Sequence, residues 1–263
     1  MSEPILSCQD VSINFGGVKA IQHVTMDIEP GSITSIIGPN GAGKTTMFNI
    51  ISGVYTPTSG KVFFKGKDIT GMKQHDVSRM GLARTFQNIR LFAQLDNVRN
   101  VQSALDARAS YSILDAVLGL PKLHRVDREN HKKAMECLEL VGLEKFANDR
   151  PGSLPYGMQK KLEIARAIVS DPQLLLLDEP AAGLNPIEIE EFIELLKEIM
   201  DIKKLTILLI EHRLKVVTTL SHKIFVLNFG ELLTSGTPQE VQNNPDVIVA
   251  YMGEDDDEPE EEK

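Results

Sequence analysis

Long apolar runs, a secretion signal, cysteine clusters and a surplus of positive charge are all missing from this sequence of 263 residues. A helix that spans a bilayer needs about 20 consecutive apolar residues, and no uncharged run approaches that length. The N-terminus also lacks the basic segment followed by an apolar one that marks a secretion signal. These absences predict a soluble globular chain that is not secreted.

Cysteine is scarce, which bears on disulfides and metal sites. The two cysteines, Cys8 and Cys137, lie far apart along the chain and form no metal-binding spacing. We therefore expect two reduced side chains that pack in the interior. A disulfide or a pair of metal ligands is the alternative.

The deficit of positive charge is concentrated at the C-terminus. Residues 254–263 hold eight acids and one base, so they contribute −7 of the net charge of −9, and residues 1–253 carry only −2. A run of one sign without apolar residues cannot pack, which predicts that 253–263 is a disordered acidic tail that aids solubility. No basic stripe of the kind that nucleic-acid binding requires is visible, so we expect no nucleic-acid partner.

The most informative stretch is Gly38-Pro39-Asn40-Gly41-Ala42-Gly43-Lys44-Thr45-Thr46, which fits the phosphate-binding pattern Gly-x-x-x-x-Gly-Lys-Ser/Thr. It lies between a strand pattern at 32–37 and a helical pattern at 46–52. Glycines let several backbone N–H groups approach a polyphosphate, and the start of a helix attracts anions. Lys44 would contact the β- and γ-phosphates, while the Thr45 hydroxyl would ligate Mg²⁺. The alternative is a glycine-rich turn without a ligand.

Two further strand patterns end in side chains that suit phosphate chemistry. Four leucines at 174–177 precede Asp178 and Glu179, as in a parallel strand buried on both faces. Asp178 would hold Mg²⁺, and Glu179 would accept a proton from the attacking water. A strand at 206–210 ends before His212, which could contact the γ-phosphate. The alternatives are two surface acids and a structural histidine.

The remaining periodicity predicts a mixed α/β chain. An N-terminal hairpin turns at Gly16-Gly17, and Phe15, at the end of its first strand, reads more readily as a core residue than as an adenine-stacking one. The apolar segment 113–120 could be a partner surface, although core is the commoner reading. Further strands are predicted at 60–66, 68–70, 82–86, 223–228 and 231–235, and helices at 73–80, within 92–146, from Pro155 to about 170, at 186–200 and around 238–252.

Together these residues resemble a known family. The phosphate loop, Gln87, Leu154–Gln159, Leu177-Asp178-Glu179-Pro180, Ala181–Asn185 and Glu211-His212 resemble, in order and spacing, the ATP-binding subunits of ABC transporters. Within that family the chain is most similar to the larger ATPase of branched-chain amino-acid (LIV-type) importers. The details that carry this similarity are Ala83–Asn88, Tyr156-Gly157, Leu162–Arg166, Ala181–Pro186, Ile210–His212 and Asn243–Asp246.

The resemblance implies an architecture. The fold would be the P-loop ABC ATPase fold, an α/β fold with a RecA-like core, an antiparallel β subdomain and an inserted α-helical subdomain. Residues 1–252 would form a single ATPase domain. Within it, 1–90 and 151–252 would form the nucleotide-binding core and β subdomain, and 91–150 the helical insertion.

The resemblance also implies roles. ATP bound by residues 38–46 would be contacted by Leu154 and Gly157 of a partner, in a head-to-tail dimer with a second ATPase subunit, identical or related. Gln87 would sense Mg²⁺ and water, His212 would clamp the γ-phosphate and Phe15 would stack on adenine. The partners would be permease subunits and, indirectly, an external solute-binding protein, with this chain peripheral at the cytoplasmic face of the plasma membrane.

Two positions depart from the family pattern. Pro155 stands where the signature segment usually has a serine, which removes a hydroxyl and an N–H, and Asn185 replaces the more usual aspartate. Three other functions stay open at this point: the ATPase of a lipopolysaccharide-type exporter, a soluble ABC protein that acts on ribosomes or DNA, and a non-hydrolytic scaffold. Tyr156-Gly157 and Ile210–His212 favour the importer, and Lys44 with the acids favours hydrolysis.

Overall fold

The computed structural model describes residues 3–85, 87–106 and 121–252. The acidic tail and the apolar segment 113–120 therefore lie outside the described residues. None of the helices in the described ranges combines the length and the apolarity that a bilayer crossing needs.

An antiparallel sheet is formed by the N-terminal part of the chain. Its strands stand in the order β2-β1-β4-β5. The predicted hairpin is present, since β1 pairs with β2 on either side of the Gly16-Gly17 turn. The strands of this sheet are β1 (Leu6–Phe15), β2 (Val18–Ile28), β4 (Ser59–Phe64) and β5 (Lys67–Asp68).

A second sheet of six strands has the order β10-β9-β3-β8-β7-β6. All of its neighbours run parallel except β9 and β10, which are antiparallel. The strand predicted at 82–86 ends earlier, at Arg84. The strands of this sheet are β3 (Ile33–Ile37), β6 (Leu82–Arg84), β7 (Leu174–Asp178), β8 (Thr206–Ile210), β9 (Lys223–Asn228) and β10 (Glu231–Gly236).

Helices pack against both sheets. The described α-helices are α1 (Lys44–Ile51), α2 (Gln74–Arg79), α3 (Asn97–Asp106), α4 (Pro121–Leu140), α5 (Tyr156–Ile168), α6 (Pro186–Lys203), α7 (Leu214–Leu220), α8 (Pro238–Gln242) and α9 (Pro245–Met252). Short 3-10 helices at Glu144–Phe146 and Pro151–Ser153 connect α4 to α5. The start of α5 differs from expectation, because Pro155 is the N-cap residue and not part of the first turn.

Two apolar cores lie on opposite faces of the six-stranded sheet. Leu175 and Leu177 of β7 join the core that contains α3 to α6, whereas Leu174 and Leu176 join the core beneath the antiparallel sheet. This alternation confirms that β7 is buried on both faces, as four consecutive leucines predict. Because every backbone group of β7 lies inside the protein, the strand rigidly positions the two acids at its end.

The two cysteines lie in different cores and are free thiols. Cys8 is buried between the sheets and Cys137 packs within the helical core. Burial raises the pKa of Cys8 to about 12 and that of Cys137 to about 11. The expectation of reduced packing cysteines is confirmed, and the disulfide alternative is wrong.

Candidate functional site

Four neighbouring parallel strands end at one edge of the six-stranded sheet and bring the candidate residues together. In register, Asp178 of β7 stands opposite Ile210 of β8, and Ile210 stands opposite Ile36 of β3. The segments that follow β3, β6, β7 and β8 are the phosphate loop, the turn with Gln87, the turn with Glu179 and the turn with His212. The carboxyl ends of parallel strands are where open α/β sheets bind ligands.

The phosphate loop requires its glycines for conformation and for space. Gly38 and Gly43 have φ of 150° and 98°, in the region that L side chains rarely adopt. A Cβ on Gly38 would stand 2.1 Å from the carbonyl oxygen of Leu227. The loop therefore lies directly against β9, and α1 begins at Lys44 with its first N–H groups directed towards the loop.

Lys44 is almost fully buried within this loop. Its Nζ donates to the carbonyl oxygens of Gly38, at 2.6 Å, and Pro39, at 2.8 Å. The adjacent Thr45 is exposed, and Thr46 is half-buried. The loop thus combines an ammonium, a hydroxyl and helix N–H groups, which together suit a polyphosphate.

Glu179 lies where three segments converge. It has a left-handed φ of 46°, which turns the chain sharply after β7. Its Oε2 accepts a hydrogen bond of 2.8 Å from Gln87 Nε2. The same oxygen lies 4.0 Å from His212 Nδ1. The structure therefore gathers the three side chains to which the sequence assigned water activation, sensing and phosphate contact.

Asp178 has a partner to which the sequence gave no role. Its Oδ2 accepts a hydrogen bond of 3.0 Å from Arg84, and both side chains are buried. Arg84 also donates to Asn49 Oδ1 at 2.7 Å and to Ser52 Oγ at 3.0 Å. Burial raises the pKa of Asp178 above its ordinary value, and the arginine opposes that rise. Arg84 thereby ties the end of β7 to the helix that follows the phosphate loop.

The candidate Mg²⁺ ligands form a chemically suitable set. Thr45, Gln87 and Asp178 offer hydroxyl, amide and carboxylate oxygens, the hard ligands that Mg²⁺ prefers. Arg84 donates a hydrogen bond to Oδ2 of Asp178, so Oδ1 is the candidate metal ligand of this carboxylate. Within the described residues there is no cluster of three or more His, Cys, Asp or Glu side chains that could hold a metal ion alone. Mg²⁺ in nucleotide sites usually takes one or two protein carboxylates together with substrate phosphates, and one carboxylate with two neutral oxygens suits that arrangement.

The segment Leu154–Gln159 packs on another loop of the same chain. A Cβ on Gly183 would lie 2.7 Å from the Tyr156 ring, and a Cβ on Gly157 would lie 2.8 Å from Glu188 Oε1. Leu154 is buried and its carbonyl oxygen accepts from Gln159 Nε2 at 2.9 Å. The predicted contacts of Leu154 and Gly157 with ATP concern a second chain and stay predictions.

Asn185 has a local role that sequence reasoning missed. Its Oδ1 accepts from the N–H groups of Ile187 and Glu188, each at 3.0 Å, and Glu188 reaches back to the Asn185 N–H at 2.9 Å. This is a capping box at the start of α6. The sequence signal was present, since Asn185 is followed by Pro186 and, three residues on, by Glu188.

Phe15 is not a core residue, so that expectation from the residues alone is wrong. The residue is 44% exposed. Its ring meets Tyr55 edge-to-face, with the ring centroids 5.1 Å apart. An exposed aromatic face of this kind can stack on a nucleobase.

Comparison with known families identifies two matches along the chain. Residues 21–182 match the family described as "ABC transporter". Residues 231–257 match the family described as "Branched-chain amino acid ATP-binding cassette transporter".

Curated relatives cover nearly the whole chain. The high-affinity branched-chain amino acid transport ATP-binding protein LivG of Escherichia coli (strain K12) is 43% identical over 254 residues, which cover 97% of this chain and 100% of that protein. BraF of Pseudomonas aeruginosa, with the same description, has the same identity and coverage. The lipopolysaccharide export system ATP-binding protein LptB of Acidithiobacillus ferridurans is 30% identical over 97% of this chain and 98% of its own length.

Solved structures show the same architecture. A nucleotide-free ATP-binding cassette from an ABC transporter matches with a TM-score of 0.81 and 28% identity, over 94% of this chain and 98% of that one. A dimeric bacterial ABC transporter cassette matches with a TM-score of 0.74 and 27% identity, over 89% of this chain and 98% of that one.

Proposed function

This chain belongs to the ATP-binding proteins of the ABC transporter family, and we propose that it is the ATP-hydrolysing subunit of an importer of branched-chain amino acids. The convergence of Gln87, Glu179 and His212 beside the phosphate loop is the observation that carries the hydrolytic role. The cargo class is supported by relatives named for that transport and by the match at 231–257.

Binding of the triphosphate is assigned to the phosphate loop. Residues Gly38 to Thr46 offer backbone N–H groups at the start of α1, and the Lys44 ammonium would move from the loop carbonyls to the β- and γ-phosphates. Mg²⁺, held by Thr45, Gln87 and Asp178, would supply charge neutralisation at the phosphates when bound. The exposed ring of Phe15 would stack on adenine.

The chemical step is in-line attack of water on the γ-phosphate, in which the bond from the γ-phosphorus to the bridging oxygen breaks and ADP and inorganic phosphate are released. Glu179 would orient the water or accept its proton, since a general base must lie within hydrogen-bond reach of the proton that it takes. Gln87 donates to the Glu179 carboxylate and so holds it in place. His212, exposed and close to Glu179, would donate to the γ-phosphate.

Assembly is the remaining part of the proposal. Tyr156 is exposed beside Gly183, and the solved relatives include a dimeric cassette. We infer a head-to-tail dimer with an identical or related second ATPase, in which Leu154 and Gly157 contact the partner's ATP. This dimer would bind permease subunits at the cytoplasmic face of the plasma membrane, and a solute-binding protein would act through that permease.

The lipopolysaccharide exporter is the second candidate, and it is less well supported. The exporter relative is 30% identical, against 43% for the amino-acid transport proteins. Soluble ABC proteins and scaffolds fit less well, because the closely similar relatives are transport subunits and the catalytic side chains are brought together.

Glu179→Gln tests the hydrolytic role. The amide keeps the shape but cannot accept a proton, so turnover should fall by about 10²–10⁴-fold while ATP affinity is retained and an ATP-bound dimer accumulates. Steady-state ATPase assays, nucleotide titration and size-exclusion chromatography with ATP measure these three quantities. Glu231→Gln, an exposed position on β10, is the matched control and should behave as wild type. Full activity of the Glu179 variant would remove the residue from this role.

Co-purification tests the cargo and partners. The tagged full-length chain, extracted in detergent, should retain hydrophobic permease subunits, and reconstituted vesicles should take up leucine, isoleucine or valine in an ATP-dependent manner. Retention of lipopolysaccharide-export subunits without amino-acid uptake would favour the second candidate.

A further inference from the structure

Glu211 is a fully buried acid to which the proposed mechanism gives no task. It follows β8 directly and precedes His212 in the chain. Its side chain is 0% exposed. An ionised carboxylate in the interior is costly unless hydrogen bonds compensate for the lost water. Its contacts therefore indicate what the charge is for.

Three backbone N–H groups surround this carboxylate. Oε1 accepts from Ala181 at 2.8 Å. Oε2 accepts from His212 at 3.2 Å and from Arg213 at 3.3 Å. The three donors come from two segments, because Ala181 belongs to the turn after Glu179 whereas His212 and Arg213 belong to the turn after β8. One side chain thus bridges the two loops that carry the proposed base and the proposed phosphate contact.

Two further hydrogen bonds hold the same pair of loops. The Glu179 N–H donates to the carbonyl oxygen of Ile210 at 2.9 Å. At the other end of the turn, the Arg213 guanidinium donates to the carbonyl oxygen of Leu184 at 3.0 Å. Glu211 lies between these two contacts in the chain. These hydrogen bonds join the two loops on either side of Glu211, and the Glu211 carboxylate is fully buried whereas Arg213 is half-buried.

We propose that Glu211 is a positioning residue for ATP hydrolysis, which fixes Glu179 and His212 relative to each other through the backbone of both loops. The inference rests on the proposed function. A carboxylate suits this task because both of its oxygens accept, whereas an amide offers one acceptor and one donor. Small displacements of reacting groups reduce turnover strongly without weakening substrate binding.

Glu211→Gln is the primary test, on the full-length chain purified together with the permease subunits and second ATPase that it retains. The amide keeps the shape of the side chain but loses acceptance at one of its two ends. We expect kcat for ATP to fall by about 10–100-fold, because a misplacement of about 1 Å has effects of this size. The KM and the Kd for ATP should stay within about twofold of wild type, since the phosphate loop is untouched.

Glu211→Asp is the second variant. It keeps the charge but is shorter by one methylene, so it can bond the nearby His212 and Arg213 N–H groups without reaching Ala181. A kcat between those of wild type and Glu211→Gln supports the bridge between loops. A wild-type kcat would mean that the charge alone matters and would overturn the proposal. Glu231→Gln again serves as the control that should change nothing.

Hydrogen exchange supplies a readout besides activity. In Glu211→Gln the Ala181 amide should exchange faster, while amides of β7 and β8 keep their wild-type protection. Loss of protection throughout both strands, with a parallel loss of ATP affinity, would show a general structural role and overturn the proposal. Wild-type kcat together with a released Ala181 amide would also overturn it.

Measurements on the wild-type chain distinguish a failure of the positioning role from a failure of the proposed function. If wild type hydrolyses ATP and the Glu211 variants match it, the positioning role fails and the proposed function stands. If the wild-type chain, assayed together with the permease subunits and second ATPase that it retains, does not hydrolyse ATP, the proposed function fails. In that case unchanged exchange at Ala181 in Glu211→Gln would count independently against the bridge.

Discussion

Replacing Arg84 with methionine should reveal how strongly the buried ion pair holds the site together. The Arg84 and Asp178 side chains are 6% and 5% exposed. The guanidinium also bonds Asn49 and Ser52 of the α1 region. Methionine fills much of the same volume without charge, so the change removes the bonds and leaves a buried carboxylate without its cation.

The expected loss in the free energy of unfolding follows from this uncompensated charge. Breaking one side of a buried ion pair costs about 3–5 kcal/mol. For a chain of this size, one kcal/mol lowers the melting temperature by about 2–4 °C, so the variant should unfold roughly 6–20 °C below wild type. Thermal unfolding followed by circular dichroism, without nucleotide, measures the difference.

The stability lost by Arg84→Met should depend on pH and should be greater at higher pH. Burial raises the pKa of Asp178, and Arg84 opposes this rise. The pKa of Asp178 should therefore be higher in Arg84→Met than in wild type. Between the unfolded-state and folded-state pKa values the native chain holds a proton that the unfolded chain has lost, and stability therefore falls as pH rises through that window. The loss of stability in Arg84→Met should be largest at pH values above both pKa values of Asp178. It should become smaller as the pH is lowered towards the unfolded-state value.

An exposed ion pair provides the control. Lys215 Nζ lies 2.6 Å from Glu190 Oε1, a closer approach than in the buried pair, but both side chains are more than half exposed. Lys215→Met should therefore melt at the wild-type temperature, because exposed pairs contribute little. An Arg84→Met variant as stable as wild type would show that the ion pair does not hold the site together. A stability loss that is equal at neutral and acidic pH would show that the Asp178 charge is not its cause.

Two further variants test single contacts in the nucleotide site. Pro155→Ser restores a hydroxyl and an N–H at the start of α5 and should increase ATP-driven dimerisation or hydrolysis; unchanged sedimentation and kinetics would mean that the position is silent. Phe15→Ala removes the proposed adenine-stacking face, so the Kd for ATP should rise by about tenfold, given that stacking of a base on an aromatic ring contributes roughly 1–3 kcal/mol. Fluorescence titration checks this, with the Kd for inorganic triphosphate as the control that should not move.

Features carried by local pattern could be predicted from the sequence. The glycine spacing at 38–46 and the four leucines before Asp178 define their own strand, turn and helix contexts. The structure has β3, α1 and β7 at these places, with β7 buried on both faces. In each case the residues that determine the element are neighbours in the chain.

Features that depend on pairing across the chain were missed. Arg84 and Asp178 are 94 positions apart, and Glu211 and Ala181 are 30 apart, so no local periodicity links them. Both contacts exist because β6, β7 and β8 are neighbours in the sheet. An arginine or glutamate next to a strand pattern reads as a surface residue until its neighbour is known. Phe15 shows the opposite error, because an aromatic residue in a strand pattern suggests core and this one is exposed.

The capping box at Asn185 is an exception, since it was visible in the sequence and was overlooked. The Asn185 side chain accepts two backbone hydrogen bonds at the start of α6. Asparagine and aspartate are about equally good N-caps, so the exchange removes a charge without weakening the start of the helix.

We propose that the phosphate loop and the ends of β7 and β8 together form one site for a magnesium-bound triphosphate. Isothermal titration calorimetry of the full-length chain and of Lys44→Ala with ATP, with and without Mg²⁺, measures whether such a site exists. Wild type should bind ATP saturably and more tightly with Mg²⁺, and Lys44→Ala should lose most of that affinity. Absence of nucleotide binding by wild type, or equal affinity in Lys44→Ala, would contradict this proposal.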